Sequence, residues 1–202
     1  EFDTARAAAA TDTTLVVSTL SSQPLEAIAA AGRSQTQWFQ LYLQPRREDS
    51  RDLLQRAEAA GYRAIVLTLD ATLQLPSHRA LRSGFAMPAG IVPANLAAYP
   101  QREPGTARPG LLRGALQHAP LAEDVAWVVA HTRLPVIVKG VLHPDDAVLM
   151  RSLGAAGVIV SNHGGRTFDG VPASLAMLPA VRAAVGEGFP LLLDSGIRSG
   201  LD

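Results

Sequence analysis

Residues 135–166 read PVIVKGVLHPDDAVLMRSLGAAGVIVSNHGGR, and the fold class follows from this stretch. Residues 135–141 and 157–162 are short runs dominated by β-branched side chains without polar alternation, the pattern of strands buried on both faces. Between them, residues 144–153 are amphipathic, with Asp145 and Asp146 at the start and Gly154 just past the end, which is how a helix begins and stops. A strand, a helix and a strand in about 30 residues form a parallel crossover unit.

Working outward, the pattern repeats. Residues 14–20 (TLVVSTL), 37–43 (QWFQLYL), 64–70 (AIVLTLD) and 190–194 (PLLLD) read as further strands, and residues 51–60 and 121–131 as helices. Alternating strands and helices place the chain in the α/β class with a parallel sheet. Residues 74–118 break the rhythm with many prolines and glycines and little periodicity. An insert of this kind is an active-site loop or a plain linker, and it is read here as an active-site loop inside a single domain, 1–202.

Composition narrows the function. With 18 basic and 18 acidic residues the chain has no broad basic field, so neither nucleic acid nor an anionic membrane is expected as a partner. No apolar stretch approaches the roughly 18 residues of a spanning helix, and no secretory signal is read at the start. The absence of cysteine excludes disulfides, thiolate metal sites and a cysteine nucleophile, and suits a reducing cytoplasm, the expected compartment. His118, His131 and His143 lack ligand spacing and are read as surface residues. Trp127 is read as core, and no metal site is expected.

Ligands of parallel α/β sheets bind at the carboxyl ends of the strands. Here those ends carry Ser18 and Thr19, Gln40 and Tyr42, Thr68 and Asp70, Lys139-Gly140, the run Ser161-Asn162-His163-Gly164-Gly165-Arg166, and the run Asp194-Ser195-Gly196-Ile197-Arg198. Polar groups on every strand end point to a polar ligand. His163 suits a base near neutral pH and Arg166 a bidentate grip on a carboxylate, against the plainer alternative of a loop cap and a surface pair. Lys139 is a Schiff-base amine, a counter-ion to an anionic cofactor, or the partner of a structural aspartate. Asp194 to Arg198 suits a phosphate.

The strings WFQLYL, LTLDA, LPVIVKG, SNHGGRTFDGVPAS and DSGIRSGLD, in this order, resemble the FMN-dependent α-hydroxy acid oxidase and dehydrogenase family. The resemblance implies a (β/α)8 TIM barrel with FMN at the strand ends, of which about six strands, the second to the seventh, are present. On this expectation 202 residues, against roughly 250 for a typical barrel, leave the closing first and eighth strands outside the chain.

It implies FMN-dependent oxidation of a small L-2-hydroxy acid to the 2-keto acid. His163 is then the base and Asp70 its orienter. Arg166 binds the substrate carboxylate, Tyr42 hydrogen-bonds the substrate, and Leu20 lines the pocket. Lys139 neutralises the reduced flavin. Ser18, Gln40 and Thr68 hold the isoalloxazine ring, and Asp194, Ser195, Gly196 and Arg198 the ribityl and phosphate end. Ser195 stands where the family usually has glycine. Ser77 stands where it carries a second carboxylate-gripping arginine, with His78, Arg79 and Arg82 nearby. Oxygen, a quinone or a cytochrome is implied as electron acceptor, and a homo-oligomer, a tetramer, as the assembly. Two rivals remain: a truncated paralogue acting as a non-enzymatic module, and an aldolase-type barrel using Lys139 as a Schiff base.

Overall fold

A computed structural model describes residues 1–32, 36–71, 78–100, 119–168 and 170–202. Six strands form one sheet: β1 (Leu15–Ser18), β2 (Gln37–Leu41), β3 (Ile65–Thr68), β4 (Val136–Val141), β5 (Gly157–Val160) and β6 (Leu191–Leu193). All neighbours are parallel and the spatial order equals the chain order. The sheet curls as part of a barrel. The helices are α1 (Phe2–Ala10), α2 (Leu25–Ala31), α3 (Arg47–Ala60), α4 (His78–Arg82), α5 (Ala122–His131), α6 (Pro144–Ser152) and α7 (Ser174–Val185). None of the described helices is long and apolar enough to cross a membrane.

The two sheet faces differ because side chains alternate along a strand. Phe39, Leu41, Ile65, Leu67, Val136, Val138, Val158 and Val160 point to the helices and form the main core with Leu53, Leu54, Val125, Val128 and Val181. The opposite, concave face carries a thinner cluster of Ala64, Val66, Ile137 and Ile159, flanked by Trp38 and Leu192. Two residues beyond these, on the same face, come Gln40, Thr68, Lys139, Ser161 and Asp194. The apolar floor therefore ends in a polar rim.

Five of the six strand runs read from the sequence are trimmed at their carboxyl ends, beside that rim, whereas the run 135–141 keeps Val141 and loses only Pro135. Helix α3 starts at Arg47 rather than at residue 51, since its charged first turn has no apolar periodicity. The segment read as irregular holds α4 and a helical turn at Ala94–Leu96; Ser77, His118 and residues 101–117 lie outside the described residues.

Asn95 of that turn is only 1% exposed. Its side-chain oxygen accepts from Leu25 N at 2.8 Å, and its amide donates to Ser21 Oγ at 2.9 Å and Thr19 O at 3.2 Å. Arg56 donates to Asn95 O, to the Tyr99 hydroxyl and to Glu26, and its guanidinium holds the Glu26 carboxyl below the usual carboxylate range. The turn is thus pinned to α2, α3 and the loop after β1.

His131 departs from its surface reading. It is half-buried, stacked on Trp127 with ring centroids 4.3 Å apart, and its Nδ1 lies 2.7 Å from Trp127 O. His143 is exposed and caps α6 by accepting from Asp145 N.

Candidate active site

The rim is built strand by strand. At the end of β1, Ser18 Oγ donates to Gln40 Oε1 at 3.3 Å, and Gln40 Nε2 passes the contact on to Thr68 Oγ1 at 3.1 Å. Thr19 is fully buried and staples the two strand ends, donating to Gln40 O at 2.6 Å and accepting from Tyr42 N at 3.1 Å. This role of Thr19 carried no sequence signal beyond its position, because a hydroxyl has no diagnostic spacing.

Beyond β3 and β5, His163 Nδ1 lies 2.8 Å from Asp70 Oδ1, both side chains being mostly buried. A carboxylate only accepts, so Nδ1 carries the proton and Nε2 is the basic nitrogen. Asp70 is seated by Gly140. The strand register slips between Lys139 and Val141, and Gly140 there has φ 97°. A Cβ at residue 140 would stand 2.5 Å from Asp70 Cβ and Cγ, so only glycine lets the two chains approach this closely. The other Asp70 oxygen, Oδ2, is buried without a hydrogen-bond partner among the described residues.

Lys139 Nζ donates to Ser161 Oγ at 2.8 Å and pairs with Asp194 Oδ2 at 3.3 Å. Ser161 is fully buried and also accepts from His163 N at 3.1 Å. It was visible in the sequence as a strand end but given no role. Asp194 has its other oxygen on Ser195 Oγ at 2.9 Å. His163 (φ 55°) and Ser195 (φ 77°) both occupy the left-handed region, a conformation that costs a residue with a side chain about 1–2 kcal/mol.

The structure thus brings Ser18, Gln40, Thr68, Asp70, Lys139, His163, Asp194 and Ser195 onto one rim. Tyr42 follows β2, half-buried, and Leu20 follows β1, 47% exposed. Arg166 is exposed and forms no ion pair among the described residues; Gly196 and Arg198 are exposed past β6. Arg198 N donates to Asp202 Oδ2 at 2.7 Å. Among the described residues no group of three or more histidines or carboxylates could hold a metal ion.

This donor set fits a flat heteroaromatic ligand with an anionic tail. Hydroxyl, amide and ammonium groups line successive strand ends over an apolar floor. The left-handed turn at Ser195 and Gly196 lies beside them, and backbone in this conformation gathers N–H groups for an anion. The profile described as FMN-dependent dehydrogenase matches residues 1–202. The chain belongs to that family.

Its relatives within the family agree in kind. The chain is 63% identical over 205 residues to an L-lactate oxidase of Alicycliphilus denitrificans, covering 100% of this chain and 56% of the relative. It is 42% identical over 211 residues to a 4-hydroxymandelate oxidase of Amycolatopsis orientalis, covering 100% of this chain and 57% of that protein. A solved mandelate oxidase variant with an FMN adduct superposes with a TM-score of 0.82 at 41% identity, over 97% of this chain and 53% of that one. The chain therefore spans about half the length of the curated relatives it matches.

Proposed function

We propose that the full-length protein containing this chain is an FMN-dependent oxidase of a small L-2-hydroxy acid of the lactate, glycolate or mandelate class. The observation that carries the reading is the Asp70–His163 pair at 2.8 Å, on the same rim as Lys139. Bound FMN would supply the two-electron acceptor. Ser18, Gln40, Thr68 and Lys139 would hold its ring system, and Asp194, Gly196 and Arg198, with the backbone at Ser195, its ribityl and phosphate end.

His163 Nε2 removes a proton from the hydroxy-bearing carbon or its hydroxyl, and Asp70 steadies the imidazolium that forms. Arg166 binds the substrate carboxylate, Tyr42 hydrogen-bonds the substrate, and Leu20 shapes the pocket beside it. Lys139 would supply positive charge to the bound flavin. The ion pair with Asp194 disfavours the Schiff-base alternative, because an ammonium held by a carboxylate is not a nucleophile. The names of the relatives support oxygen as electron acceptor, which oxygen uptake with peroxide release would verify. A cytoplasmic homo-oligomer, a tetramer, belongs to the same proposal and is read by cell fractionation and light scattering.

The test is His163→Ala in the FMN-loaded full-length protein, with anaerobic flavin reduction by lactate, glycolate and mandelate followed in a single turnover. The rate with the best substrate falls by about 10²–10⁴ if His163 is the base. Unchanged reduction by all three acids overturns the assignment.

A further inference from the structure

We propose that the Ser195 hydroxyl is a positioning group for His163, tying the turn that carries the base to the end of β6. The inference rests on the 2-hydroxy acid oxidase reading for the role of His163, and on the hydrogen bonds for the rest.

The hydroxyl is fully used. It accepts from Gly164 N at 3.0 Å and donates to Asp194 Oδ1 at 2.9 Å, with a long contact of 3.5 Å to Ser161 Oγ. Ser161 in turn accepts from Lys139 Nζ and from His163 N, which leaves Ser195 as the acceptor for its own proton among the described residues. The directions therefore run Lys139 to Ser161 to Ser195 to Asp194, and the Asp194–Lys139 ion pair at 3.3 Å closes the ring. Two consecutive backbone N–H groups, those of His163 and Gly164, are each held by one of the two ring hydroxyls.

That matters because His163 has φ 55°, a conformation the chain adopts only when its surroundings hold it there. Ser161 holds one side of the turn and Ser195 the other. A glycine at residue 195 would adopt φ 77° without strain but would leave Gly164 N without this acceptor. Donation to a phosphate is the competing use of the hydroxyl. Its single proton already faces Asp194, so that use would break the ring.

Ser195→Gly and Ser195→Ala in the FMN-loaded full-length protein separate these roles. Both remove the hydroxyl, whereas only glycine removes the backbone strain. Amide hydrogen exchange at Gly164 should quicken by about tenfold in both, the effect of losing one hydrogen bond. The limiting rate of flavin reduction should fall by about tenfold in both, with KM and FMN affinity changed by less than about threefold, since a small displacement of a base acts on the chemical step. Ser195→Gly should melt no lower than the parent, so lost stability cannot explain the slower step.

Unchanged exchange at Gly164 overturns the proposal. So does weakened FMN binding with an undiminished reduction rate in saturated protein, which would give the hydroxyl to the phosphate. A parent protein that no 2-hydroxy acid reduces overturns the oxidase reading, whereas a parent reduced at the same rate as both variants overturns only the role of Ser195.

Discussion

At the scale of single residues, the decisive partner of the candidate base is a residue with no side chain. Gly140 leaves room for Asp70, and Asp70 holds His163. Gly140→Ala in the full-length protein would drive a methyl into Asp70 and force a left-handed alanine. We expect flavin reduction to slow by about 10²-fold, with the fold itself weakened by about 1–3 kcal/mol. Rapid-reaction kinetics beside denaturant unfolding would separate the two effects, and a wild-type reduction rate would remove Gly140 from the site.

The rim residues Asp70, Lys139 and His163 were legible in the sequence because charged groups at the ends of apolar runs are conspicuous. Gly140 and Asn95 were not. A glycine inside a strand run and an asparagine inside a proline-rich segment acquire meaning only from neighbours distant in the chain.

At the scale of elements, the helical turn Ala94–Leu96 acts as a clamp. Asn95 satisfies the first free N–H of α2 and two groups of the loop after β1, the same loop that carries Leu20. Asn95→Ala would leave these buried groups unpaired and cost about 2–3 kcal/mol. Denaturant unfolding of the full-length protein measures this directly, and a loss below about 0.5 kcal/mol would mean that water replaces the amide. The strands themselves were readable because both of their faces are covered by apolar side chains. Their ends were not, because each ladder stops within or just short of the polar rim: Ser18, Gln40, Thr68 and Lys139 still pair, whereas Asp70, Ser161 and Asp194 lie past the strands. The start of α3 escaped notice for the opposite reason: Glu48 and Asp49 serve the helix dipole, Arg47 pairs with Asp124, and of the three only Asp49 is buried.

At the scale of the molecule, the described residues present an open parallel sheet. Among them β1 and β6 each have a partner on one side only, and the concave face leaves Val16 43% exposed beside Trp38, with Leu192 partly exposed at the other edge. A parallel sheet with bare apolar edges pairs with whatever strand it meets. Produced by itself, the segment 1–202 should therefore self-associate at micromolar concentration and bind a hydrophobic dye, as light scattering and fluorescence would show. A dye-silent monomer would show that the concave face finds cover within the segment. The order of the strands has a further bearing on how the protein is made. Every strand lies beside the one synthesised just before it, so each new β-strand emerging from the ribosome finds its docking edge already built. The sheet can assemble in one direction at the pace of translation. The polar rim is then completed late, because Asp194 and Ser195, which close its ring, are made after every other group in it.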